Sequence, residues 1–525
     1  MKKINSKISY YLLACLPGLL LFLVTLFPTW WLIGLLAIFP LILALHKAPD
    51  NLLTKLFFIS GFSIIGLSMV WVFETLSYDW LNIGNFLPGF IGGLLFWLNS
   101  SLIGGLTFLP LAFLWKRLKT GTNFDILLFS SLWVIFEFIR AVLASIILIG
   151  KGTIIGPHWT IGSLGYSLSL SPWIAIWSGW GGLYLLSFIA VAFSFSVYQL
   201  IIVNRNHKVI ISLWLFFLLF STISLMPIQL TNKQQFTPRP QIEVIVFRND
   251  HKTNLTAPNF ELKNKTGANL PTILLFPEDY RFLKTLELKN SSDEKLISHL
   301  SDYFNYSNLL IIDSMKIKEA GKNKMKMIYA DLSNDNFLLT EKVLLSPFGE
   351  YLPTWINKMA HLMKLNKWLS DYQNNRAVVV GKVFQPIDFG QEKISILFCG
   401  EAFSSALYRQ QVKNGATIIG NASSQLFIGG SKILSQQTQA AAILRATENR
   451  RFFILSAVIN PAFILNPQGQ VIDKTEVGQF FIQKTIQTED HFTLYTLWGN
   501  WILLLAFFIL FLSFLRSQSF PDKIP

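Results

Sequence analysis

Ile394-Ser-Ile-Leu-Phe-Cys399-Gly-Glu-Ala-Phe403 decides how this chain reads. The apolar run before Cys399 suits a buried strand, and a helical pattern over Phe403–Asn414 starts just after it. A thiol at such a turn lies near backbone N–H groups and the positive end of a helix dipole, and both favour the thiolate. The 525 residues hold 2 cysteines. Cys15 falls inside the first apolar stretch, where it reads as a small packing residue. No disulfide follows from this pair. No Cys/His cluster has zinc-like spacing, so neither a metal nor another cofactor is expected.

Outward from Cys399, short β-branched runs alternate with helical patterns. The expected strands are Glu243–Phe247, Ile273–Phe276, Leu309–Asp313, Ala377–Val380, Ile394–Phe398, Thr417–Ile419 and Phe453–Ala457. The expected helices include Asp293–Tyr306, Phe403–Asn414 and Ser435–Arg450. This alternation predicts an α/β layered domain. Met315–Met327 reads as a solvated basic hairpin or loop, and Thr231–Pro240 as a linker.

Beyond this polar block the chain is a membrane protein. It is 52% hydrophobic and 14% charged, against about a quarter charged in soluble domains. Eight stretches suit helices across a hydrocarbon core of roughly 30 Å: 8–27, 29–46, 53–74, 87–115, 125–149, 172–202, 208–228 and 495–515. The first reads as an uncleaved anchor. Basic residues gather before span 1 (Lys2, Lys3, Lys7) and after spans 2 (Lys47, Lys55), 4 (Lys116, Arg117, Lys119), 6 (Arg205, Lys208) and 8 (Arg516, Lys523). The alternate loops are poorer in them, as with Glu74 and Asp79 after span 3. This parity predicts cytoplasmic termini and an external polar block. The division is then 1–228 for seven spans, 229–494 for the external domain, and 495–525 for a last span and tail. The net charge of +14 reads as topology and anionic lipid rather than nucleic acid.

Two more polar residues follow apolar runs in the external block. Glu278 follows Ile273-Leu-Leu-Phe-Pro, and Lys342 opens Lys342-Val-Leu-Leu-Ser-Pro-Phe-Gly-Glu350-Tyr351. A carboxylate can take a thiol proton and a lysine can steady an oxyanion. Each residue alone also suits a plain structural role. Glu137 and Arg140, one helical turn apart, read as a self-neutralising pair.

Strand–Glu, Lys before PFGEY, and strand–Cys-x-Glu together resemble the Glu-Lys-Cys arrangement of the nitrilase superfamily. KVLLSPFGEYLP and FCGE resemble segments of the apolipoprotein N-acyltransferase family. Trp133-Val-Ile-Phe-Glu137-Phe-Ile-Arg140, Gly156-Pro-His-Trp159 with Leu164-Gly-Tyr166, and Gly182-Leu-Tyr-Leu-Leu-Ser-Phe188 resemble that family's membrane segments.

The resemblance implies an α-helical membrane domain of about eight spans carrying a nitrilase-like αββα sandwich in a bacterial inner membrane, with the sandwich periplasmic. It implies transfer of an acyl group from a phospholipid to the N-terminal cysteine of a diacylglyceryl-modified apolipoprotein, with the chain a monomer. Cys399 would be the nucleophile, Glu278 the general base and Lys342 the oxyanion stabiliser. Glu350 and Glu401 would support them, Glu350 by orienting Lys342. Trp159 and Tyr166 would either contact lipid or anchor an interfacial loop. Segment 352–375, with Trp355, Met359, Leu362 and Met363, would either admit lipid or pack as an amphipathic helix. The chain departs from the family at Asn421-Ala-Ser-Ser-Gln-Leu-Phe427, at Val458-Ile-Asn-Pro461 and at Gly400. Those departures leave room for a membrane-bound amidase or hydrolase, or a weakly active lipid- or lipoprotein-binding relative.

Overall fold

The computed structural model describes residues 2–75, 86–203, 241–249, 270–285, 308–426 and 430–519, with a few isolated positions between them. Among these, seven helical segments are long and apolar enough to cross a bilayer: Lys7–Leu26, Pro28–Lys47, Asp50–Glu74, Gly89–Leu118, Phe124–Ile147, Ser178–Ile201 and Trp501–Gln518. They match expected spans 1 to 6 and 8. Span 7, the 231–240 linker and the helix expected over Asp293–Tyr306 lie wholly or largely outside the described residues.

The spans are more broken than a hydropathy reading suggests. Span 4 is two helices, Phe86–Thr107 and Leu109–Leu118, with Pro110 in the first turn of the second. Proline has no N–H to continue the earlier ladder. Span 6 begins at Ser178 rather than 172, after a short Pro172–Ala175 helix. It is kinked at Gly181 and at Gly182, whose φ is 70°. A Cβ on Gly182 would lie 2.5 Å from Tyr495 Cε2. Span 8 starts at Trp501, because Leu494–Trp498 forms its own short helix.

The polar block is built on twelve strands: β1 (Gln241–Asn249), β2 (Thr272–Leu275), β3 (Leu309–Glu319), β4 (Lys322–Asp331), β5 (Asn336–Glu341), β6 (Ile387–Phe389), β7 (Glu392–Phe398), β8 (Ile418–Ser424), β9 (Phe452–Val458), β10 (Phe463–Leu465), β11 (Val471–Lys474) and β12 (Phe481–Gln487). They run in the order β5-β4-β3-β2-β1-β9-β8-β7-β6, with β12 on β1 and the β10–β11 hairpin on β9. β1 meets β9 over Arg248–Asn249 only, so the sheet folds there into two leaves.

Side-chain alternation then sorts the layers. Val244, Val246, Ile273 and Ile312 of one leaf share a core with Ile394, Ile396, Ile418 and Ile454 of the other. Ile396 N–H donates to the Tyr329 hydroxyl across that core, at 3.3 Å. The outward residues Leu397, Ile419 and Phe453 pack on helices Ser405–Lys413 and Lys432–Asn449. Ile245, Phe247, Leu274 and Ile311 pack on Phe282, Leu283 and Leu300. The result is the expected αββα sandwich.

One local expectation changes and one is narrowed. Ala377–Val380 is not a strand; Val378 forms one isolated bridge with Asn323. The basic stretch Met315–Met327 is the β3–β4 hairpin, turning at Ala320 and Gly321 with φ 46° and 76°.

Candidate functional site

Glu278 leaves the end of β2, Lys342 the end of β5 and Cys399 the end of β7. β5 is antiparallel to β4, which is antiparallel to β3, and β3 is parallel to β2. Lys342 and Glu278 therefore emerge at the same edge of one leaf. Cys399 faces them from the other leaf, with φ 25°, in the left-handed region that side chains rarely adopt.

Lys342 Nζ lies 2.8 Å from Glu278 Oε1 and 2.7 Å from Glu350 Oε1. Its own backbone is pinned on both sides: its N–H donates to Met325 O at 3.1 Å and its carbonyl accepts from Gly381 N–H at 2.8 Å. Glu350 closes a tight turn, accepting from Ser346 N–H at 2.7 Å through Oε2. Glu401 joins the two leaves. Its Oε1 accepts from Val343 and Leu344 N–H, both at 2.8 Å, and its Oε2 from Phe398 N–H at 2.7 Å. One buried carboxylate thus fixes the residue before the thiol and the two residues after Lys342.

The thiol itself touches β8. Cys399 Sγ is 3.6 Å from Ser424 O and 3.7 Å from Ser423 Oγ. Asn421 Nδ2 donates to Cys399 O at 3.3 Å and to the Tyr408 hydroxyl at 3.2 Å. A polar Asn-Ala-Ser-Ser run inside an otherwise apolar strand is the sequence signal for these contacts. The sequence marks the run as a departure from the family at positions expected to surround the thiol, without assigning Ser423 or Asn421 a contact.

Burial dominates the electrostatics. It pushes the Cys399 thiol up to about 12, the Glu278 charge adds to that, and Lys342 opposes it. The resting sulfur is therefore protonated, against the expectation that the turn favours the thiolate. The element after it is a five-residue 3-10 turn, Cys399–Phe403, with little dipole to offer. Burial also raises the Glu278 carboxyl to about 7, although Lys342 draws it down. Burial alone would lower the Lys342 ammonium, but Glu278 and Glu350 hold it well above its ordinary value. Glu278 and Lys342 both act on Cys399 through the field. The three groups form one electrostatic cluster.

The membrane part grips the turn after Cys399 through the 150–166 loop. His158 Nδ1 is 2.8 Å from Ser404 Oγ, and Thr160 Oγ1 donates to Phe403 O at 3.0 Å. Tyr166 bonds Thr160 Oγ1 at 2.6 Å and sets its ring edge-on to Phe403. Trp159 packs against the outer core of the sandwich. The structure thus places Trp159 and Tyr166 in the seam behind the Cys399 turn. Glu137 and Arg140 make no ion pair with each other. Glu137 accepts from Leu164 N–H at 2.9 Å and the Trp133 indole at 3.0 Å, while Arg140 donates to Ser163 Oγ at 3.0 Å. Both shape the loop. Segment 352–375 is two helices, Thr354–Leu362 and Asn366–Asn375. The first exposes Trp355, Met359 and Leu362, and the second buries Leu369 and Tyr372.

The sequence profile of the apolipoprotein N-acyltransferase N-terminal domain matches residues 17–196. An apolipoprotein N-acyltransferase of Rickettsia typhi is 26% identical over 75% of this chain and 77% of its own length. One of Mycolicibacterium smegmatis is 27% identical over 30% of this chain and 25% of its own. The chain thus spans from a quarter to a third of the length of the first curated relatives it matches. Among solved structures, an amidase from Nesterenkonia sp. matches 50% of this chain and 94% of its own at 14% identity, with a TM-score of 0.32.

Proposed function

We propose that this multi-pass membrane protein, a divergent relative of the apolipoprotein N-acyltransferases, moves a fatty acyl group from a phospholipid to the amine of a lipid-modified N-terminal cysteine. The observation that carries the reading is the buried Glu278–Lys342–Glu350 cluster acting on the Cys399 thiol.

The chemistry follows from the protonation states. Cys399 rests as a thiol and Glu278 titrates near neutrality. Glu278 takes the thiol proton as Sγ attacks the ester carbonyl. Charge builds on the carbonyl oxygen, where Lys342, held cationic by two carboxylates, steadies it. The ester C–O bond breaks, and Glu278 returns the proton to the departing lysophospholipid oxygen. The acceptor amine then attacks the thioester, Glu278 takes its proton, the C–S bond breaks and the sulfur is reprotonated. Glu350 orients Lys342, and Glu401 holds both strand ends.

Donor and acceptor are both anchored in a bilayer, so the thiol has to be held beside it. The turn carrying Glu350 is tied to the end of a span: the Tyr351 hydroxyl donates to Leu148 O and Thr354 N–H to Ile149 O, both at 2.8 Å. The exposed apolar side chains of Thr354–Leu362 follow at once, positioned to dip into the lipid interface. With cytoplasmic termini the sandwich, about 229–494, faces the periplasm of a bacterial inner membrane.

The test is intact-mass detection of a hydroxylamine-labile acyl adduct after incubating the detergent-purified protein with phospholipid. An adduct on the wild type, absent in Cys399→Ser and discharged by a diacylated lipopeptide, is the expected result. No adduct on the wild type overturns the reading. Discharge to water alone replaces the transferase with a hydrolase.

A further inference from the structure

A second polar site lies one step from the cluster. A pocket of about 350 Å³ is lined by Lys364, Leu365, Lys367, Trp368, Asp371, Tyr372 and Arg376. These positions recur at helical spacing, so the pocket is a groove along one face of Asn366–Asn375 and the turn before it. Three cations border it against one carboxylate. Among the described residues the charged ends of Lys364, Lys367 and Arg376 have no ion pair or hydrogen bond. Trp368 and Tyr372 stack obliquely in the groove wall at 5.8 Å.

The groove joins the cluster through Tyr372, whose hydroxyl donates to Phe348 O at 2.9 Å inside the Ser346–Tyr351 turn. Tyr372 also lies within the field of both Glu350 and Arg376. Its outer rim is apolar and exposed: Leu362 is 82% accessible, Met363 65% and Leu365 43%. The same segment begins at the Ile149 end of a span, where Phe348 also meets Phe96 edge-on at 5.2 Å.

A ligand fitting this surface has to present an anion to the cations and a hydrocarbon chain to the rim. We propose that the groove of Lys364, Lys367 and Arg376 binds the phosphate of a glycerophospholipid whose acyl chains lie over Leu362, Met363 and Leu365. The proposal deepens the transferase reading, by supplying a place where donor lipid waits beside Lys342, and rests on it for that role. An acidic peptide would use the cations but not the rim.

The binding itself is tested without turnover. Full-length Cys399→Ala protein in detergent is titrated with phosphatidylglycerol, phosphatidylethanolamine or diacylglycerol, and retained lipid is counted by native mass spectrometry. Both phospholipids are expected to be retained over diacylglycerol, and the K364Q/K367Q/R376Q variant to weaken that retention roughly tenfold or more. Unchanged melting temperature and Cys399 alkylation, the latter in the same triple variant with Cys399 restored, show that the variant is folded. Equal retention of diacylglycerol, no effect of the triple variant, or displacement of lipid by an acidic peptide at equal concentration overturns the proposal. A wild type that forms no acyl adduct while this charge-dependent retention persists sinks the transferase reading and leaves the groove standing.

Discussion

Lys342 Nζ sits 2.8 Å from Glu278 Oε1 with both side chains almost wholly closed to water, at 1% and 7% exposure. A pair so buried is a poor source of stability on its own account, because the charges lose hydration that their attraction only partly restores. Its value lies in holding a carboxylate and an ammonium around a thiol that burial keeps protonated.

Removing the ammonium should therefore be severe. Lys342→Met leaves Glu278 and Glu350 facing each other without a cation, and breaking a buried pair costs about 3–5 kcal/mol. The expected result is a large fall in melting temperature together with loss of acyl-adduct formation. Adding Glu278→Gln removes one of the stranded carboxylates, so the double variant should regain stability and remain inactive. A double variant as unstable as Lys342→Met would refute the idea that stranded charge is the cause.

The acid limb of the proposed reaction follows from the role proposed for Glu278. Its proton is bound more tightly in the fold than in the free chain, and it titrates at about 7. Below that pH the carboxyl is protonated and cannot take the thiol proton, so acylation should slow about tenfold per unit as pH falls. Above it the rate should level. The apparent value belongs to the Glu278–Lys342 cluster rather than to one group. Rapid-quench measurement of adduct formation across this range checks the limb, and Glu278→Gln should be slow and flat.

How far the sequence carried the reading depends on the kind of signal. β2 and β7 show themselves as apolar runs bounded by proline or glycine, and Glu278 and Cys399 at their ends are legible. β5 is not, because Asn336, Leu338 and Leu339 are exposed on an edge strand and carry no burial pattern. Lys342 was found from the motif that follows it. Glu401 was legible only as Cys-x-Glu spacing; that it bonds Val343 and Leu344 across the leaves is a tertiary fact. The self-neutralising reading of Glu137 and Arg140 missed their hydrogen-bond partners for the same reason. Helical spacing puts them on one face, but each found a better partner in a loop some twenty residues on.

Ser423 is a residue that sequence reasoning passed over and that chemistry can check. Its hydroxyl is the side-chain donor 3.7 Å from Cys399 Sγ and pulls the thiol down against burial. Ser423→Ala should therefore slow iodoacetamide alkylation of Cys399 and move its pH profile upward, with Ser423→Thr restoring much of the rate. Melting temperature should change little, since among the described residues the hydroxyl makes no other hydrogen bond. A profile that stays in place removes Ser423 from the site.

The seam between membrane helices and sandwich gives the last prediction. Glu448 and Arg445 are completely buried on Lys432–Asn449 and pair at 3.0 Å. Glu448 Oε1 also accepts from Leu183 N–H at 3.1 Å, the donor freed by the Gly181–Gly182 kink of the Ser178–Ile201 helix. One carboxylate therefore serves as counter-ion to a buried guanidinium and accepts from the interrupted ladder of a membrane span. Glu448→Ala leaves the Arg445 charge and the Leu183 donor buried without it, and a loss of about 3–5 kcal/mol is expected. Arg445→Met with Glu448→Leu removes the charges together and should be much closer to wild type in melting temperature. Gly182→Ala attacks the same seam by shape, forcing a Cβ into the Tyr495 ring at a φ that disfavours it. If the Cys399 turn depends on this seam through Ser405, whose hydroxyl donates to Glu448 Oε1 at 3.3 Å, both Glu448→Ala and Gly182→Ala should speed alkylation of Cys399. The charge-free double variant loses the same Glu448 acceptor and should speed it as well, while keeping its melting temperature. Wild-type alkylation rates in all three would show that the seam holds the two parts together without reaching the thiol.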